Sequence, residues 1–193
     1  MAVSAAALVV PLRAFAVGME RLADRLDPDA RAALARRLAD TVLDAGRGLP
    51  TVVVSSAPEV VEWARARDVD VIDDPGSLDT AAEVGRRWAR DAGLQRVIVA
   101  HADLPDARSF DALTRDGGIG ILCLVPDHRC DGTPVLSTPT DVDIRFAYGP
   151  GSFARHCREA RRLGLGLRVV RAPELAFDVD LPSDLDRLAS RTA

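Results

Sequence analysis

Asp103, Asp178 and Asp180 stand in the surroundings most suited to chemistry in this 193-residue chain. Asp103 lies in Ala102-Asp103-Leu104-Pro105, directly after the apolar run 97–100, and the Leu-Pro pair restricts the backbone that aims its carboxylate. Asp178 and Asp180 occupy i and i+2 in Phe177-Asp178-Val179-Asp180-Leu181-Pro182, so in extended backbone both project to the same side. Neighbouring carboxylates repel, and three on one site call for a hard cation. Magnesium, bound through oxygen and usually also to phosphate, is the natural partner, so the pattern points to a metal-dependent phosphate site. Asp178 or Asp180 could instead cap the helix expected near Ser183. The ADLP segment tips the balance towards function.

Gly149-Pro150-Gly151-Ser152 precedes a helical stretch, where backbone N–H groups and the helix dipole can receive an anion and Ser152 adds a hydroxyl. A plain turn with a serine cap fits the spacing equally well. Asp131-Gly132-Thr133 reads as a turn, or as a substrate loop if its segment folds over the site. His101, His128 and His156 share no metal-ligand spacing and no nucleophile motif accompanies them, so histidine catalysis is not expected. Trp63 and Trp88 fall on helical stretches as core or interface residues. The pairs Arg36-Arg37, Arg86-Arg87 and Arg161-Arg162 read as solvated helix faces.

The elements that must position these groups follow from hydrophobic pattern and punctuation. Strands are expected at 5–11, 51–55, 69–72, 97–100, 119–125 and 167–171, and helices at 30–45, 59–67, 78–91, 151–163 and 183–189. Asp27-Pro28-Asp29 marks the first helix start, and Gly46 and Gly93 mark helix stops. Residues 127–148 break into short pieces rich in Pro, Thr and Asp, as for an inserted hairpin or loop covering one end of a sheet. Strands alternating with helices predict an α/β fold in three layers, α/β/α, around a mostly parallel sheet within one domain, with ligands at the carboxyl ends of the strands.

Composition narrows the chemistry. A hydrophobic content of 48% and a net charge of −4 suit one core and leave no electrostatic footprint for nucleic acid or an anionic membrane. All 25 basic residues are arginine, which excludes a lysine-dependent phosphate loop and a lysine Schiff base. Three cysteines without CxxC spacing argue against disulfides and a zinc knuckle. No membrane span or secretory leader is evident, so a cytoplasmic protein is expected.

Taken in order, the Val-Pro-Leu-Arg segment after the first strand, Glu20-Arg21-Leu22, ADLP, Asp131-Gly132-Thr133 with Val135-Leu136, FAYGPGSFARH and DVDLPSDL resemble the guanylyltransferases of coenzyme F420 biosynthesis, the CofC and FbiD type. The likeness covers nearly the whole chain. It implies a nucleotide-diphospho-sugar transferase fold and transfer of GMP from GTP to 2-phospho-L-lactate, phosphoenolpyruvate or 3-phosphoglycerate with release of pyrophosphate. Carried over residue by residue, it implies Asp103, Asp178 and Asp180 as magnesium ligands. Pro11, Leu12, Arg13 and Arg21 would line the nucleotide loop, with Arg13 also serving catalysis, and Leu78, Asp79 and Thr80 would lie near guanine or ribose. Thr133, Gly149, Gly151 and Ser152 would hold the acceptor. The chain departs from the family pattern at Arg13 and Met19, where lysine is usual, and at Asp79 and Pro134, where asparagine is usual. These departures keep open a transferase of altered base or acceptor and a non-catalytic nucleotide-binding relative. The partners implied are GTP and a small phospho-acid, with a homodimer left open.

Overall fold

Runs of Val, Leu and Ala too short and too apolar for surface helices become the strands of one seven-stranded sheet. In the computed structural model, which describes residues 6–15, 17–115 and 117–192, the strands are β1 (Ala6–Pro11), β2 (Thr51–Val54), β3 (Asp70–Ile72), β4 (Arg96–Ala100), β5 (Ile121–Val125), β6 (Val135–Pro139) and β7 (Gly166–Val169). The helices are α1 (Pro28–Ala45), α2 (Pro58–Arg65), α3 (Leu78–Asp91), α4 (Asp111–Arg115), α5 (Ser152–Arg162) and α6 (Pro182–Thr192). Ala5, expected in the first strand, lies outside the described residues.

The strand order is β3-β2-β1-β4-β6-β5-β7, parallel except for β6, which runs antiparallel to both β4 and β5. Side chains alternate across the sheet: Leu8 and Val10 join the core beneath α1, α2 and α4, while Ala7 and Val9 join the core beneath α3 and α5. The three-layer α/β/α expectation holds. Two helices begin on side-chain caps, the first of them at the punctuation that predicted it. Asp27 caps α1, its carboxylate accepting from Ala30 N at 2.8 Å with Pro28 in the first turn, and Ser77 caps α3 in a reciprocal pair with Thr80.

The segment 127–148 corrects the sequence reading. It does not merely cover one end of the sheet, because Val135–Pro139 is inserted between β4 and β5 as a wholly buried central strand. The sequence Val-Leu-Ser-Thr-Pro hides it, since Ser137 and Thr138 break the apolar run yet are buried, Ser137 accepting from the guanidinium of Arg96 at 3.0 Å. Pro139 is tolerated at the last position of the strand, opposite Arg96. The short helix α4 and a 3₁₀ turn at Glu20–Leu22 had no sequence signal long enough to read. The strand expected from residue 119 begins only at Ile121, after Gly120 at φ +75°.

Strand order places the ligand site. From β1 the chain crosses to β2 and β3 on one side, then returns to β4 on the other, so the order reverses between β1 and β4. Their carboxyl ends, Pro11 and Ala100, are where an open α/β sheet leaves a crevice.

Candidate active site

A cleft of about 580 Å³ opens at that reversal. Pro11, Leu12 and Arg13 enter it from the end of β1, and His101, Ala102 and Asp103 from the end of β4. Asp178, Asp180 and Leu181 enter from the segment before α6, Ser77 and Leu78 from the start of α3, and Thr133, Gly149 and Ser152 from the β6 and α5 approaches. Stretches 76 residues apart are tied directly: Val179 N donates to the carbonyl of Asp103 at 3.1 Å, setting the two acidic segments side by side.

The acidic residues are not helix caps. Asp184 takes that job, its buried Oδ2 accepting from Leu181 N at 2.8 Å and Asp180 N at 3.2 Å while its Oδ1 accepts from Arg129 at 2.8 Å. Asp178 and Asp180 both line the cleft. Oδ1 of Asp103 and Oδ1 of Asp178 are both sealed from bulk solvent and have no hydrogen-bond partner among the described residues. Burial, then the Asp178 charge, raises the Asp103 carboxyl to about 8, and burial likewise raises Asp178. Paired, unsatisfied carboxylate oxygens of this kind cost stability as anions unless a cation or a proton joins them, so the donor set suits a hard divalent ion. Among the described residues no group of three or more His, Cys, Asp or Glu side chains stands together so as to hold a metal ion. Asp180, about two-fifths exposed, is turned aside by an ion pair with Arg21.

Basic groups face this acidic wall. Arg13 and Arg21 were expected at the cleft and line it; Arg129 was not expected and lines it as well. Arg129 gave no sequence signal beyond its place two residues before Asp131. Asp127 builds that loop, its Oδ1 accepting from Asp131 N at 2.8 Å and Arg129 N at 3.1 Å. Met19 lies on the wall with a left-handed backbone, φ 59°, and adds no charge.

Three expected site residues have other work. Asp79 does not line the cleft: its Oδ1 accepts from Tyr148 N at 2.7 Å, fastening α3 to the loop before α5. Thr80 is consumed by the capping box with Ser77, which stands in the wall instead. Gly151 also stays off the wall, its N–H donating to Oδ2 of Asp131 at 2.9 Å. The helix start at α5 is therefore not an open anion nest. Asp131 occupies it with its own carboxylate and, through its carbonyl, with a bond from Phe153 N at 3.0 Å.

What Thr133 and Ser152 offer is hydroxyl chemistry, joined at 3.2 Å and backed by buried His156. His101 also lines the cleft, its Nε2 buried without a partner and burial lowering it to about 4. Arg86, expected on a solvated face, is instead 5% exposed, reaching Glu83 and the carbonyl of Thr140.

Acidic and basic walls at the carboxyl edge of such a sheet suit a phosphorylated nucleotide, and comparison with known proteins agrees. Residues 6–190 match the family described as guanylyl transferase CofC like. The phosphoenolpyruvate guanylyltransferase of Sphaerobacter thermophilus is 39% identical over 188 residues, spanning 94% of this chain and 91% of the relative. That of Rubrobacter xylanophilus is 37% identical over 187 residues, spanning 93% and 91%. In fold, a nucleotide-diphospho-sugar transferase crystal structure from Desulfovibrio desulfuricans G20 aligns with a TM-score of 0.77 at 17% identity, over 96% of this chain and 86% of that one. Sequence likeness along nearly the full length and a shared sheet thus lead to one assignment, and the chain belongs to the CofC-like guanylyltransferase family.

Proposed function

We propose that the protein transfers GMP from GTP to a small phosphorylated acid, phosphoenolpyruvate first among the candidates, releasing pyrophosphate as a step of coenzyme F420 biosynthesis. The observation that carries this reading is the pair of buried oxygens on Asp103 and Asp178 that lack a hydrogen bond among the described residues, in a cleft that arginines also line at the point where strand order reverses. Phosphoenolpyruvate leads because both relatives compared above carry that substrate in their names.

The reaction asks for positioning and charge neutralisation more than for proton transfer. An anionic phosphate oxygen of the acceptor attacks the α-phosphorus of GTP, a new P–O bond forms, and the bond to the β-phosphate breaks with its electron pair leaving on pyrophosphate. No base is required. Asp103, Asp178 and Asp180 would hold a magnesium ion, which supplies neutralisation of the phosphate charge when bound. Arg13 and Arg21 line the cleft and would draw the departing charge, their planar forks suiting two phosphate oxygens each. Thr133, which also lines the cleft, would donate its hydroxyl proton to an anionic oxygen of the acceptor, with Ser152 supporting it through their hydrogen bond. Asp79, held by Tyr148 N and off the wall, does not confront the nucleotide with an added charge.

The test is pyrophosphate release from GTP and magnesium with phosphoenolpyruvate, 2-phospho-L-lactate and 3-phosphoglycerate in turn, and with ATP and CTP as controls. Release is expected with GTP and one of the acids, falling at least roughly 100-fold in Asp103→Ala and in Asp180→Ala while both variants stay folded. Release with none of the acids would overturn the activity. Undiminished release in both variants would overturn the role of the carboxylates.

A further inference from the structure

His156 lies on α5, wholly buried, and both ring nitrogens are engaged. Its Nε2 faces the backbone N–H of Ala147 at 3.1 Å. An amide N–H can only donate, so Nε2 must be the unprotonated nitrogen. Burial first, and then the charge of neighbouring Arg155, lower His156 to about 4, so the ring is neutral at neutral pH. A neutral imidazole with Nε2 bare carries its proton on Nδ1. That Nδ1 sits 3.1 Å from Oγ1 of Thr133 and therefore donates to it.

The same Thr133 oxygen accepts from Oγ of Ser152 at 3.2 Å. A hydroxyl oxygen has two lone pairs and one proton. With His156 and Ser152 filling both acceptor positions, Thr133 has only its own O–H left to give, and Thr133 lines the cleft.

We infer that His156 is a positioning residue that acts through Thr133: it locks the Thr133 hydroxyl as a donor into the cleft, committing that position to an anionic oxygen of the acceptor. The inference deepens the acceptor site of the proposed transferase and rests on that reading for its substrate. The lock is itself held. Arg155 donates to the carbonyls of Ala147 at 3.0 Å and Tyr148 at 2.8 Å and to that of Pro150, so the loop presenting the Ala147 N–H is clamped to the helix that carries His156. Tyr148 closes the side, its ring edge-on to the imidazole at 5.0 Å. A locked donor binds a carboxylate or phosphate oxygen and turns away a group that itself offers a proton, whereas a free threonine hydroxyl accepts either.

Two variants separate the two nitrogens. His156→Asn keeps an N–H near the place of Nδ1 and loses the acceptor for Ala147; His156→Gln keeps an acceptor near the place of Nε2 and loses the donor to Thr133. In steady-state assays the Gln variant should raise the KM for the phospho-acid roughly 10- to 100-fold, the worth of a hydrogen bond to a charged group. The KM for GTP should stay within a factor of about three, and the Asn variant should keep most of the acceptor affinity. In a Thr133→Val background the Gln substitution should add nothing further. Equal losses in Asn and Gln variants with the acceptor KM unmoved would overturn the inference, as would a Gln effect that persists in Thr133→Val.

A second readout does not depend on turnover. Two-bond proton–nitrogen correlation spectra of the ligand-free protein near pH 7 should show His156 with its proton on Nδ1; a proton on Nε2 overturns the lock. If the wild type releases no pyrophosphate with any acid, the transferase reading fails while the tautomer and calorimetric binding of phosphoenolpyruvate to the two variants still decide the role of His156.

Discussion

Asp184 shows at the scale of one side chain how the site depends on groups that never touch a substrate. Its carboxylate is almost fully buried, takes up two amide protons at the start of α6 and holds Arg129. That one residue caps the helix and frees Asp178 and Asp180 from doing so. Asp184→Ala strips the cap and leaves Arg129 without its partner, at an expected cost of about 2–4 kcal/mol. Urea unfolding with the midpoint shifted and the m-value unchanged is the expected result. Arg21 illustrates the opposite case, since its ion pair with Asp180 is largely solvent-exposed and adds little to stability. Its substitution should be felt in nucleotide affinity and not in the melting temperature.

Two elements govern the walls of the cleft. Helix α3 reaches β1 because residue 85 is glycine: a Cβ there would stand 2.3 Å from Cγ1 and 2.8 Å from Cγ2 of Val9. Both are buried, so neither can step aside. Gly85→Ala should therefore destabilise the fold by about 1–3 kcal/mol despite alanine's better helix propensity, and Gly85→Ala combined with Val9→Ala should recover part of the loss in the same unfolding assay. Helix α5 carries a pH dependence through His156. Its folded value of about 4 lies below the ordinary 6.5, so the unfolded chain binds the proton first. The neutral ring's contribution is fully present above pH 6.5 and drains away as pH falls from there towards 4. Between pH 7 and pH 5, the wild type should lose on the order of 1–2 kcal/mol more than His156→Asn does, as read by chemical unfolding at the two pH values.

Over the whole molecule, the central strand β6 is the least predictable part and the best secured. Arg96, buried at the start of β4, donates to the carbonyls of Gly117, Gly118 and Ile121 and to Ser137, so it joins β4, the approach to β5 and β6. Burial lowers its pKa without removing its charge. Arg96→Met keeps volume but orphans four acceptors, and a loss of about 3–5 kcal/mol with a falling yield of soluble protein is expected. Among the described residues no helix is long and apolar enough to cross a membrane.

The order of alternating elements, the helix start at Asp27 and the acidic segments around Asp103 and Asp178 were legible in the chain because each rests on local chemistry: an apolar run, a capping side chain, a proline after a carboxylate. The same local reading misplaced residues 135–139, since Ser137 and Thr138 look solvated until Arg96 arrives from a distant strand to satisfy one of them. Of the positions carried over from the resemblance, Asp79 and Gly151 find partners in Tyr148 and Asp131 that only the fold brings near, while Thr80 is held locally by Ser77. Residue types and their order along the chain determined what this protein can be made of and which family it resembles. Tertiary structure alone decided which carboxylates are left without partners and which way a threonine hydroxyl must point, because a lone pair is filled only by whatever the fold brings within 3 Å or so of it.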